Sequence, residues 1–192
     1  MMNPFIDDLK STKFIDLKDG LYNIIKERVW IKSDKPFKLA SGITSSEYFN
    51  IKNLGSDGLA LAAALLYKMI QKTDTASIGG LESGAIPLSV ATSCMSLAQK
   101  STAPLEWFYV RKDIKGHGTG NTIEGRPAPP VMILDDVITS GGSSLKAIRA
   151  IKDQNIDYIG TMCVLFRGDK EHKMALEEEG SFQYIFSHND FQ

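Results

Sequence analysis

The chain has 192 residues, 43% hydrophobic and 23% charged, with a formal net charge of −1 at pH 7. That balance argues against a surface built for nucleic acid. No apolar run approaches the roughly 20 residues of a membrane span, and Met1-Met2-Asn3-Pro4-Phe5 lacks the charged and apolar regions of a signal peptide.

The length predicts one domain able to bury about 70% of its unfolded surface without staples. Cys94 and Cys163 both lie in apolar stretches and read as reduced core residues of a cytoplasmic protein. Leu17, Leu21, Ile24, Ile25 and Val29 recur at helical spacing, which predicts a helical packing arm within residues 1–30. Phe37 to Gly42 and Glu47 to Ile51 alternate about a turn at Ile43–Ser46, a hairpin-like unit. Asp57 to Lys72 reads as a helix capped by Asp57, with Leu61, Leu65, Leu66, Met69 and Ile70 as its apolar stripe. Ala76 to Gly80 is a short strand. It empties into the small-residue turn Leu81-Glu82-Ser83-Gly84-Ala85-Ile86-Pro87, before a helix through about Ala98. Such a strand–turn–helix can face an anion.

After a strand at Leu105–Val110 comes Arg111-Lys112-Asp113-Ile114-Lys115-Gly116-His117-Gly118-Thr119-Gly120-Asn121. A solvated charged loop is the ordinary reading of such a run. Cations on a glycine hinge also suit a lid that closes over a polyanion and excludes water.

Val131–Leu134 is an unbroken apolar run, as expected of a strand buried on both faces. Asp135 and Asp136 follow it, and Thr139 to Ser144 is a hydroxyl- and glycine-rich turn into a helix ending near Gln154. Ligands of open α/β sheets bind at the carboxyl ends of strands. Clustered backbone N–H groups entering a helix favour a phosphate. Adjacent carboxylates there are costly unless a sugar diol or a metal-bearing substrate satisfies them. A helix cap alone would not need two exposed acids and six turn residues, so the stretch describes a site for a phosphorylated ribose. Tyr158–Phe166 is another apolar strand, ending in Arg167-Gly168-Asp169. Arg167 stands on the same edge as Asp135, free for a ligand or paired with Asp169 or Glu171. An acidic helix at Glu171–Glu179 and a strand at Phe182–Phe186 follow. The alternation predicts an α/β fold: a doubly wound, mainly parallel sheet flanked by helices, with a core over about 55–192 and a small N-terminal hood over about 1–54.

The 131–144 stretch resembles the phosphoribosyl pyrophosphate (PRPP) motif of type I phosphoribosyltransferases. Arg111-Lys112-x-x-Lys115-x-His117-Gly118 looks like the catalytic loop of the orotate phosphoribosyltransferase family. Phe37-x-Leu39-x-Ser41-Gly42-x-x-Ser45-x-x-Tyr48-Phe49 is similar to that family's orotate-contacting segment. The resemblance spans about residues 14 to 186.

It implies transfer of a phosphoribosyl group from PRPP to orotate, with Mg²⁺ held mainly by the substrate and in part by Asp135 and Asp136. Asp135, Asp136, Lys115 and His117 would be the catalytic residues. Asp135 and Asp136 would hold the ribose hydroxyls, and Val137, Ile138 and the run Thr139, Ser140, Gly141, Gly142 and Ser143 would receive the 5′-phosphate. Arg111, Lys112, Lys115 and His117, with Ser83 and Gly84, would meet the diphosphate. Tyr48, Phe49, Thr139 and Arg167 would bind orotate. A homodimer with shared sites is implied, because the family's loop reaches the neighbouring subunit; nucleic acid and membrane partners are not. Two cations common in the family are replaced: Ala40 stands before Ser41-Gly42, and Ser83-Gly84 stand where Tyr-Lys is usual. Lys38 and Lys52 are the nearby lysines. Transfer to another base, or PRPP sensing without catalysis, are the alternative readings.

Overall fold

The computed structural model describes residue 9 and residues 11–38, 44–99, 103–113 and 121–192. Helix α1 (Phe14–Ile24) passes into a π turn (Ile25–Val29), and Leu17, Leu21, Ile25 and Val29 are buried as one stripe. Strand β1 (Trp30–Lys38) begins before the expected hairpin, and β2 (Thr44–Phe49) already contains Ser45 and Ser46. The two are antiparallel, with Trp30 opposite Phe49 and Lys38 opposite Thr44. Serine's turn preference is overridden here by a period-2 surface that packs on the core. The hood residues Leu39, Ala40, Ser41, Gly42 and Ile43 lie outside the described residues.

A 3₁₀ turn (Ile51–Leu54) leads to α2 (Gly55–Ile70). Asp57 therefore lies in the first turn rather than at the cap. Its carboxylate accepts from Arg28 and from the Gly58 N–H, each at 2.9 Å, so it ties α2 to the preceding π turn. The remaining elements are β3 (Ser77–Gly79), α3 (Ala85–Ala98), β4 (Glu106–Val110), β5 (Ile123–Gly125), β6 (Val131–Ile138), α4 (Gly142–Asp153), β7 (Tyr158–Phe166), α5 (Lys170–Glu179), β8 (Ser181–Ser187) and a 3₁₀ turn (His188–Phe191).

The six-stranded sheet has the order β5-β4-β3-β6-β7-β8. All neighbouring pairs are parallel except β4–β5. This is the doubly wound sheet expected; the edge strand β5 was not, because three residues carry too short a pattern to read. Even the uniformly apolar β6 alternates between two cores. Met132 and Leu134 join the core under α1, α2 and α3. Val131 and Ile133 join the one under α4, with Ala147, Ile148, Ile151 and Leu176. Cys163 is buried as expected, but Cys94 is exposed on α3, so it is not a core residue. Among the described residues no helix is long and apolar enough to cross a membrane.

Candidate active site

From β3 the chain leaves through α3 to β4 on one side, and from β6 through α4 to β7 on the other, while β3 and β6 are neighbours. This is a topological switch point, where the carboxyl ends of parallel strands open into a crevice. Ser83 and Gly84 follow β3 there, and residues 135 to 143 come from the end of β6 and its turn.

Both aspartates belong to β6 rather than following it. Successive side chains of a strand point to opposite faces, so Asp135 shares the parity of Val131 and Ile133, and Asp136 that of Met132 and Leu134. Asp135 turns toward α4. Ser144 Oγ donates to its Oδ2 at 2.9 Å, and the Asp136 N–H donates to its Oδ1 at 3.0 Å. It is only 7% exposed, contrary to the exposed pair expected. Burial, reinforced by the neighbouring Asp136 carboxylate, pushes its carboxyl up to about 7 from an ordinary 3.8, while the Ser144 hydroxyl pulls the other way. Asp136 turns toward α3. The Val137 N–H donates to its Oδ1 at 2.7 Å, and Gly84 packs directly against its carboxylate.

The turn beyond β6 reaches α4 through Gly141, whose φ of 77° is a left-handed conformation that costs glycine little. The Leu145 N–H donates back to the Gly141 carbonyl at 2.8 Å, closing the first turn of α4. A cavity of about 410 Å³ is lined by residues 135 to 143 together with Tyr48, Phe49 and Arg167. The structure thus brings most of the expected ribose-phosphate and base residues to one place. Thr139 and Ser140 lie at the helix N-terminus side of this cavity, where an anion is favoured.

Arg167 is set beside Thr139 by the β6–β7 register: its N–H donates to the Ile138 carbonyl at 2.7 Å. The expected alternative, a salt bridge to Asp169 or Glu171, does not form. Asp169 instead caps α5, accepting from the His172 N–H. The guanidinium lies over the Phe49 ring with Cζ 5.0 Å from its centroid, and an N–H reaches Ser45 Oγ at 3.5 Å. Burial lowers its pKa. Phe49 is itself buried and stacked on Trp30, whereas Tyr48 points outward beside Phe37.

Only the root of the charged loop is described. The Arg111 N–H donates to the Thr122 carbonyl at 2.8 Å, Arg111 pairs with Glu124 at 2.7 Å, and the Lys112 N–H donates to Glu82 at 2.8 Å. Lys146 Nζ donates to the Lys112 carbonyl at 2.5 Å. Lys115 and His117 lie outside the described residues. Ser83 and Gly84 line a second cavity of about 750 Å³ between α2 and α3, with Lys52 on its wall. Asp136 lines both cavities. The side chain of Lys38 is outside the described residues.

Ser144, Glu82, Glu124, Lys146, Glu47 and His188 were not singled out from the sequence. Ser144 was legible as the last hydroxyl of the turn; the others act across long sequence separations. Among the described residues no group of three or more His, Cys, Asp or Glu could hold a metal. Asp135 and Asp136 offer separate oxygen donors, which suits a hard divalent cation carried largely by a phosphorylated substrate.

No protein-family model matches the chain. The orotate phosphoribosyltransferase of Leptospira biflexa is 35% identical over 182 residues, covering 91% of this chain and 97% of that protein. The orotate phosphoribosyltransferase of Aquifex aeolicus is also 35% identical, over 170 residues, 85% of this chain and 90% of its own length. Among solved structures, Mycobacterium tuberculosis orotate phosphoribosyltransferase in complex with Fe(III) dicitrate superposes with a TM-score of 0.74 at 25% identity, covering 91% of this chain and 98% of that one. A phosphoribosyltransferase from Corynebacterium diphtheriae reaches 0.75 at 23% identity, over 91% and 98% of the two chains, and supports the fold alone.

Proposed function

Because the chain belongs to the orotate phosphoribosyltransferase family, we infer that it transfers the 5-phosphoribosyl group of PRPP to orotate, giving orotidine 5′-monophosphate and pyrophosphate in pyrimidine synthesis. The observation that carries the reading is the meeting, in one 410 Å³ cavity, of the Asp135–Ser143 segment with Arg167 and the hood residues Tyr48 and Phe49.

In this reading the turn from Thr139 to Ser143 takes the 5′-phosphate, with Val137 and Ile138 shaping its floor. Asp135 and Asp136 accept the ribose hydroxyls. Arg167, with Thr139, engages the carboxylate or carbonyls of orotate, Phe49 supports the guanidinium and Tyr48 borders the base. Cleavage of the C1–O bond builds positive charge on the ribose and negative charge on the departing diphosphate. The acids face the first, and the loop's Arg111, Lys112 and Lys115, together with His117, meet the second, so the acids and the cations have the signs that lower the barrier. No protein nucleophile is needed. Mg²⁺, held by PRPP oxygens with help from Asp135 or Asp136, would neutralise diphosphate charge as a Lewis acid. Release of Arg111 from Glu124 would be needed for it to reach the diphosphate. Closure of the loop would keep water from PRPP.

We further propose a single catalytic domain acting in the cytoplasm as a homodimer whose loops serve the partner's site. The unpaired Cys94 and Cys163 accord with a reducing compartment. The test follows orotate absorbance with PRPP, with and without Mg²⁺, against a panel of other bases. Magnesium-dependent loss of orotate, with release of pyrophosphate, is expected. Efficient turnover of uracil or a purine would overturn orotate specificity, and PRPP binding without turnover of any base would mark a sensor instead.

A further inference from the structure

Strand β2 presents alternate residues to the core: Ser45, Glu47 and Phe49 turn inward, while the residues between them are exposed. Arg167 leans on the first and last of this set, Ser45 at 3.5 Å and the Phe49 ring at 5.0 Å. The residue between them is a carboxylate, close enough to interact electrostatically with the guanidinium. An ion pair would be the ordinary outcome for two opposite charges on packed elements. It does not form. Glu47 Oε2 is instead bound to His188 Nε2 at 2.9 Å, and its other oxygen lies 3.7 Å from Lys32 Nζ. Lys32 is 65% exposed, and such a pair contributes little; His188 is the principal hold. Arg167 Nε is meanwhile buried with no hydrogen-bond partner among the described residues. A half-buried guanidinium with no counter-charge and one N–H unsatisfied is costly unless a ligand completes it.

We propose that His188 is a positioning residue of the base site: by engaging Glu47 it keeps that carboxylate from closing onto Arg167, and so leaves the guanidinium for the anionic base. This rests on Arg167 as the reader of orotate. If Glu47 were released, its carboxylate would compete with the substrate's for the same donors. Affinity for orotate would fall while the PRPP anchors and the chemistry stayed intact.

The experiment is a mutant cycle read by steady-state kinetics. His188→Ala should raise the orotate KM by roughly fivefold or more, with kcat and the PRPP KM within about twofold of wild type. Adding Glu47→Gln to that chain should bring the orotate KM back to within about twofold of wild type, because the competing charge is gone. His188→Gln, which keeps a donor for Glu47, should retain most of the wild-type affinity and covers the case in which the alanine variant fails to fold. A double variant as impaired as His188→Ala would overturn the proposal and assign His188 to packing against Phe49, whose ring is 6.1 Å away. Arg167→Ala is measured alongside. An unchanged orotate KM there would overturn the base-site reading itself. A raised KM there, with none in His188→Ala, would overturn only the role of His188.

Discussion

A Cβ placed on Gly84 would lie 2.7 Å from Oδ1 of Asp136. Contacts that short are not tolerated, so the turn after β3 approaches the acid as closely as a glycine permits. The first prediction follows from this approach. Gly84→Ala should displace the Asp136 carboxylate and lower kcat by roughly tenfold, while Asp136→Asn should fold normally and lose about tenfold to a hundredfold. Saturating kinetics together with thermal melting checks both; a wild-type kcat in Asp136→Asn would remove that acid from the chemistry.

The second prediction concerns pH. The Asp135 carboxyl is raised to about 7 from 3.8, chiefly by burial and then by Asp136. Between these values the folded chain binds more protons than the unfolded one, so stability falls as pH rises through this window and levels off above it. The loss from this one group between pH 5 and 8 should be on the order of 2–3 kcal/mol. Denaturant titrations at several pH values should show the slope in wild type and not in Asp135→Asn. If the ionised form accepts ribose hydroxyls, kcat/KM for PRPP should rise over the same range. Ser144→Ala removes a hydrogen bond that favours the carboxylate, and should move that acid limb to higher pH. An unmoved limb would detach Asp135 from PRPP binding.

Arg167 yields a third. Its planar fork suits a carboxylate or a pair of carbonyls in a way lysine does not copy. Arg167→Ala should cost roughly 2–4 kcal/mol in kcat/KM for orotate and leave the PRPP KM nearly unchanged, and Arg167→Lys should recover only part. Equal damage to both substrates with a lowered Tm would point to a structural role.

Shared sites can be tested by mixing. Lys115→Ala and Asp136→Asn chains, each impaired alone, should show more activity after subunit exchange than either chain by itself, because a hybrid dimer restores one intact site. Mixtures that gain no activity although exchange is shown by mass spectrometry or fluorescence would refute the sharing.

Much of this architecture was readable because its signals are local. The Val131–Ser144 run places a strand, two acids and a hydroxyl- and glycine-rich turn within one stretch, and that stretch supplies most of the cavity's lining. Other features were hidden for definite physical reasons. That Asp135 is buried and Asp136 faces Gly84 follows from the strand continuing to Ile138; the charges suggested that it stopped at Leu134. Cys94 lies in an apolar run, yet the helix turns it outward beside the larger cavity. Ser45 and Ser46 look like turn residues and sit in a strand. Glu47 and His188 meet across 141 positions, and no local pattern announces such a pair.

The hood draws its anchor from far along the chain. The Phe191 ring lies 5.4 Å from that of Phe49 and 5.8 Å from that of Trp30. A ribosome adds about 5–20 residues per second. The hood strands therefore precede the turn that covers them by roughly 7–30 s of synthesis, the 141-residue separation of Glu47 and His188 divided by that rate. A two-stranded hairpin is marginal in water, and for that interval Trp30 and Phe49 lack a covering ring. The hood strands are thus made before the sheet strands and are covered only after them. Released chains truncated before His188 should keep the sheet but leave the hood open to proteolysis.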